Sequence, residues 1–229
     1  MRALILAAAL LTTGAQAAER TYAVGSFSRV RVEGPFDVRV TTGSPRARAE
    51  GDARALERVQ VSVDGDLLVV RMGLDGWGET PKRAMAAPVV TLSTPALRGA
   101  AVNGGGKLSV ATLTGSRVDL SVNGAGAISV AAADADQLSA TVIGAGALTL
   151  AGRAGRARLA ANGPGAIDAG ALVASDVTVQ LDGVGEIKAD ATRTAQVVDT
   201  GLGRVTVSGA AKCTIRAPAG GPVTCGAAP

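Results

Sequence analysis

The 229-residue chain contains no histidine. That removes the usual base of hydrolytic triads and the commonest zinc ligand. Aromatic residues are limited to Tyr22, Phe27, Phe36 and Trp77. The interior must therefore be filled by Val, Leu, Ile and Ala, which suits a narrow core. Few rings, scattered basic residues without a Lys/Arg run and a formal net charge of only +4 give nucleic-acid binding no support. Beyond the N-terminus, no apolar run is long enough for a transmembrane helix, so no membrane span is expected in the mature chain.

The N-terminus reads MRALILAAALLTTGAQAAER. Arg2 supplies a positive start and residues 3–11 a short apolar stretch. Ala15-Gln16-Ala17 fits the small-x-small cleavage rule. A signal peptide at 1–17 and a single mature domain at 18–229 are expected, exported to the periplasm or secreted to the cell surface.

What the chain has in quantity is glycine, 31 residues of it. Gly-x-Gly recurs at Gly104/Gly106, Gly124/Gly126, Gly144/Gly146, Gly163/Gly165, Gly183/Gly185 and Gly201/Gly203. Aligning these pairs produces columns. Two residues after the second glycine stand Leu108, Ile128, Leu148, Ile167, Ile187 and Val205, all aliphatic. One residue further stand Ser109, Ser129, Thr149, Asp168, Lys188 and Thr206, all polar. On the other flank, two residues before the first glycine, are Val102, Val122, Val142, Ala161, Leu181 and the misfit Asp199. Alternation with period two marks strands with one buried face. A unit of strand, glycine turn and strand cannot hide that face alone, but stacked copies can. The expected fold is all-β: a single-stranded parallel β-helix of about 20 residues per coil, rising about 4.8 Å per coil.

Regular coils are expected over 98–209, with degenerate N-terminal coils over 27–97. VEGPFDVRV (32–40) fits the repeat with Phe36 in place of the second glycine. VSVDGDLLVVR (61–71) fits it with Leu67 there. Residues 73–88 read as an inserted loop, and 51–59 as an insertion holding a helical turn capped by Asp52. In the last coil, 210–226, Cys213 and Cys225 share the inward parity, and a disulfide is expected to staple the open end. Closing a loop this short contributes about 3 kcal/mol on the chain-entropy model.

The glycine loops invite two chemical readings, and both fail. In AVNGGGKLSV (101–110), Ala101 stands where a phosphate-binding loop needs its first glycine. Leu108 replaces the magnesium-binding hydroxyl, and a strand follows instead of a helix. A calcium β-roll needs aspartate where this chain places Leu108 and its column. Asn103, Asn123 and Asn162 precede the first glycine in three coils. They read as corner residues that accept the left-handed region or stack in a partial ladder. Asp119, Arg158, Glu186 and Arg204 are dispersed. Glu186 and Arg204 share a column and read as a surface ion pair of little energetic weight. No catalytic, metal or cofactor site is nominated. Trp77, in the inserted loop, is the one candidate ligand-binding residue, as a stacking platform for sugars or as a lid over a coil edge.

Phe36 to Val40 as F-D-V-x-V, the segment V-S-V-D-G-D-L-L-V-V (61–70) and the tandem V-N-G-A-G-x-I-x-V units together resemble the putative auto-transporter adhesin head, or GIN-domain, family. The likeness runs over about residues 27–225. It implies a β-helical fold, right-handed as the usual crossover preference also gives, a bacterial envelope or secreted setting, and no catalytic residues. The expected function is a non-catalytic, adhesin-like scaffold presenting flat polar faces to an envelope polymer or protein partner. The competing expectation is a carbohydrate-active β-helix enzyme, which requires carboxylates clustered on one face.

Overall fold

The structure, a computed structural model, describes residues 18–73 and 87–226. The expected signal peptide, most of the inserted loop with Trp77, and the last three residues lie outside the described residues. In chain order the first elements are β1 (Ala18–Tyr22), β2 (Arg29–Glu33), β3 (Asp37–Thr42), β4 (Arg46–Gly51), α1 (Ala53–Glu57), β5 (Val59–Asp64), β6 (Leu67–Met72), β7 (Val89–Thr94) and β8 (Gly99–Gly104). Five long, bent strands follow: β9 (Lys107–Gly124), β10 (Ala127–Ile143), β11 (Ala147–Asn162), β12 (Ala166–Asp182) and β13 (Glu186–Asp199). The chain ends in β14 (Arg204–Ser208), β15 (Lys212–Arg216) and β16 (Val223–Cys225).

The repeat folds as its columns require, into stacked parallel coils of a β-solenoid. Strands β9 to β13 pair in parallel, with Leu108, Ile128 and Leu148 in direct register. Leu108, Ile128, Leu148, Ile167, Ile187 and Val205 are each no more than 1% exposed. Their polar neighbours Ser109, Ser129, Thr149 and Asp168 face out. One hydrophobic core runs along the stack from Phe27 to Val207.

Each coil has a side that the glycine columns did not reveal. In β9 the alternation breaks at two outward doublets, Ala111-Thr112 and Ser116-Arg117. Between them a short side points Leu113 inward, and the coils above supply Ala133, Leu172 and Ala191. The register shifts that absorb the 19- and 18-residue repeats fall there, between Val130 and Ala133 and between Ala169 and Val173. The glycine corners and the two long sides keep their register because aliphatic columns lock them; the small-residue side gives.

The two glycines of each pair are required for different reasons. The first adopts the left-handed region, with φ of 98° at Gly104 and 111° at Gly124, which side chains disfavour. The second has an ordinary φ but no room. A Cβ on Gly126 would stand 2.5 Å from Val102 Cγ1 and 2.7 Å from the Gly106 carbonyl of the coil below. Since no residue other than glycine has positive φ among the described residues, Asn103, Asn123 and Asn162 are not left-handed corners.

The misfit Asp199 marks the end of the regular stack. Gly201 lacks the positive φ of its counterparts. Asp199 is fully buried and its Oδ1 accepts the Gly201 N–H at 3.0 Å, closing the corner with a side chain instead. Its Oδ2 is buried without a partner and occupies the space that a Cβ on Gly221 would need.

The N-terminal third departs from the expected order. Residues 61–71 are not a strand–glycine–strand coil: β5 and β6 form an antiparallel hairpin, with Asp64 opposite Leu67. Asp64-Gly65-Asp66 is a tight-turn sequence, and Gly65 takes φ of 60°. The stacking is also out of chain order. β2 lies between β6 and β8, and β3 lies between β7 and β9. Residues 29–42 are therefore the last rung before the regular coils, and later chain wraps beyond them. The expected match at 32–40 holds within this rung. Gly34 takes the positive φ of a first glycine, Phe36 is buried, and its carbonyl accepts the Lys107 N–H. Antiparallel β4 and β1 then close this end. The helical turn α1 is as expected, with Asp52 Oδ1 accepting the Arg54 N–H at 2.9 Å. At the other end Cys213 and Cys225 form the expected disulfide, tying edge strand β15 to edge strand β16 with a Cα–Cα distance of 6.5 Å.

Candidate functional site

Parallel, in-register stacking places chemically different side chains in rows one strand spacing apart, and the outward rows are the surface available for function. At the glycine corner, Asn123 Nδ2 donates to Asn103 Oδ1 at 3.0 Å, and Asn162 Nδ2 donates to Asp182 Oδ2 at 3.3 Å. Exposed Ile143 interrupts the row, so this is two short ladder pieces and not a continuous polar ridge. Glu186 and Arg204 are register partners, but the ion pair Glu186 makes is with Lys188 on its own strand, at 3.8 Å. Cys213 and Cys225 are structural. Trp77 lies outside the described residues.

The second long side, which each coil enters after its short side, carries a groove of about 410 Å³. Two outward rows line it. The first runs Arg117, Gln137, Arg156, Asp176 and the second Asp119, Ser139, Arg158, Thr178. The inward residues Val118, Leu138 and Ala157 form its floor. Strand alternation sends these rows to solvent and packs the floor residues into the core.

Charge in the groove is unevenly satisfied. Arg117 Nη2 donates to Gln137 Oε1 at 3.0 Å. Asp176 accepts from the Arg193 guanidinium and from Thr194 Oγ1, the latter at 2.7 Å. The Arg193 hydrogen bond, then that of Thr194, hold its carboxyl down at about 2. Asp176 is thus an ionised carboxylate already committed to neighbours. Arg117, Arg156 and Arg158 make no ion pair among the described residues.

Those rows were present in the sequence. Counting back seven residues from each first glycine gives Arg117, Gln137, Arg156, Asp176 and Thr194; counting back five gives Asp119, Ser139, Arg158, Thr178 and Gln196. Forward counting loses the first row, because the 19-residue repeat drops its residue on the short side before Arg156 is reached.

Among the described residues the groove holds no paired-carboxylate site. Asp119 and Asp176 sit three rungs apart, about 14 Å at the strand spacing. Glycosidases place their two carboxyls about 5–9.5 Å apart, with one kept protonated for acid catalysis, the reverse of the Asp176 environment. Among the described residues no group of three or more acidic or cysteine side chains is arranged to hold a metal ion. No helix among them is long and apolar enough to cross a membrane.

The family profile described as putative auto-transporter adhesin, head GIN domain, matches residues 26–211. Among solved structures, a putative adhesin from Bacteroides fragilis is similar at 22% identity, with a TM-score of 0.82, over 94% of this chain and 98% of that one. A putative adhesin from Parabacteroides distasonis is similar at 18% identity and TM-score 0.69, over 93% and 97% of the two chains. A protein from the same organism called a putative lipid binding protein is similar at 16% identity and TM-score 0.70, over 93% and 96%. These likenesses are of fold. No curated protein matches the chain.

Proposed function

Because this chain belongs to the family of putative auto-transporter adhesin head, or GIN, domains, we propose that it is an exported, non-catalytic binding scaffold of the bacterial cell envelope, placed in the periplasm or at the cell surface. The observation that carries this reading is the grooved second long side: outward rows in strict register, polar and cationic, with no carboxylates among the described residues close enough to work as a pair. A stack of coils locked by aliphatic columns holds such rows at fixed spacing. It therefore offers a repeating ligand a repeating surface with little ordering to do on binding.

The reading is tested by screening the purified protein against an array of glycans, anionic and zwitterionic lipid vesicles and envelope protein extracts, alongside turnover assays on the same polysaccharides. Saturable binding without product release is expected. Robust polysaccharide cleavage would replace the scaffold reading with the enzyme one. A Trp77→Ala arm asks whether the loop tryptophan contributes to glycan binding, and unchanged affinity removes it from the site.

A further inference from the structure

We infer that the arginine-lined groove is a binding site for a linear acidic polysaccharide carrying a uronate on alternate sugars, lying along the solenoid axis. This deepens the scaffold reading above and rests on it.

Charge gives the first reason. Elsewhere on the rod some arginines are matched to carboxylates, Arg29 to Asp66, Arg48 to Glu19 and Glu50, Arg153 to Asp134 and Arg193 to Asp176, while others, Arg31, Arg71 and Arg204 among them, make no ion pair among the described residues; the groove is where three such arginines share one pocket. Within the groove Arg117, Arg156 and Arg158 have no such partner among the described residues. One local carboxylate, Asp176, faces Arg156 one rung away and feels its charge, but its hydrogen bonds go to Arg193 and Thr194. The other, Asp119, has Ser139 and Gly99 as its rung neighbours. Three guanidiniums against two carboxylates, one of them already hydrogen-bonded to Arg193, leave the groove net cationic, and planar forks favour carboxylate.

Spacing gives the second. Along the first row the order is Arg117, Gln137, Arg156, Asp176: cation, neutral amide, cation, carboxylate, on successive rungs. The cations are two rungs apart, about 10 Å, close to the length of a disaccharide. Between and beside them stand Gln137, Ser139 and Thr178, neutral groups that both donate to and accept from sugar hydroxyls. A polymer with one carboxylate per disaccharide meets a first-row cation on alternate rungs and places its uncharged sugars against Gln137 and Asp176. A polymer charged on every sugar sets half of its carboxylates against Gln137 and the hydroxyls. Single-stranded nucleic acid is disfavoured because no aromatic side chain among the described residues lines the groove for bases to stack on.

The test is calorimetric titration of the purified protein with three probes of equal length: a hyaluronan octasaccharide, with glucuronate on alternate sugars; an octagalacturonate, with a uronate on every sugar; and a neutral chitin oligosaccharide. Hyaluronan is expected to bind best, with affinity falling as salt is raised. Arg117→Gln and Arg156→Gln should each weaken it about tenfold, the loss of one charge-assisted contact. Arg153→Gln, outside the groove, should not. All three positions face solvent, and unchanged melting temperatures confirm that the variants fold. Hyaluronan binding that survives the double variant R117Q/R156Q overturns the assigned site. Octagalacturonate binding as tightly overturns the alternate-sugar match. If no uronate glycan binds but anionic vesicles or polyphosphate do, and R117Q/R156Q abolishes it, the uronate assignment falls while the scaffold reading stands. Failure across the whole array removes both.

Discussion

Asp199 and Asp176 are two carboxylates in one solenoid with opposite surroundings. Asp199 stands in a column that is otherwise aliphatic, and the corner explains how: Oδ1 caps Gly201 while Oδ2 goes unpartnered. The Gly201 and Gly203 carbonyls both lie 2.9 Å from the point where a Cβ on Gly221 would stand, beside that same Oδ2. An acceptor among acceptors costs about 1–3 kcal/mol when left unmet. Asp199→Asn keeps the cap and places an amide donor there, so thermal melting should rise; a fall would show that the carboxylate has an unrecognised partner. Asp176 is only partly buried and is held down at about 2 by Arg193 first and Thr194 second. Its folded pKa is lower than the ordinary carboxylate value near 4. The stabilisation is thus complete above that ordinary value and disappears as pH falls through about 2. NMR titration of the side-chain carboxyl should give a midpoint near 2, and Arg193→Ala should return it toward 4. Little of this was legible beforehand. The sequence flags Asp199 as an oddity, but its account requires Gly221 from the next coil.

At the level of the strand and turn, one motif contains two constraints that sequence cannot separate. The first glycine of each pair is there for its φ, the second for the coil beneath it. Gly126→Ala should cost about 1–3 kcal/mol, the range for forced overpacking, since the new methyl would press on Val102 and the Gly106 carbonyl. Gly105→Ala, between two such glycines but with nothing within 4 Å of its Cβ, should leave chemical denaturation unchanged. Equal losses at both would remove the distinction. The same limit explains the misread hairpin. Residues 61–71 carry the alternation of a coil, but Asp64-Gly65-Asp66 turns β6 back on β5, and only pairing partners reveal which strand answers which. Period-two patterning states that a strand has a buried face; it does not state its neighbours. The helical turn at 53–57 and the Cys213–Cys225 bond were legible because each is local: a cap four residues before a core leucine, and two cysteines of matched parity closing one coil.

For the whole molecule, a continuous aliphatic lining is what makes the rod a single cooperative body. Ile128 touches coils on both sides, stacked on Leu108 and Leu148. Ile128→Asp buries an unpaired charge between coils and should cost more than about 4 kcal/mol, enough to abolish cooperative unfolding. Ser129→Asp, one residue away and outward, should leave the melting curve within about 0.5 kcal/mol of the parent. Equal damage from both would refute the inside–outside assignment. The sequence by itself determined the coil, its length, its buried columns and its stapled end, because in a parallel stack each repeat meets its own copy and the code is nearest-neighbour. Only the tertiary structure decided the order of the N-terminal rungs, the third side and the groove. Each of these depends on where a chain of uneven repeats takes up its missing residues, and on which non-consecutive strand offers the free edge, and neither is written in any single repeat.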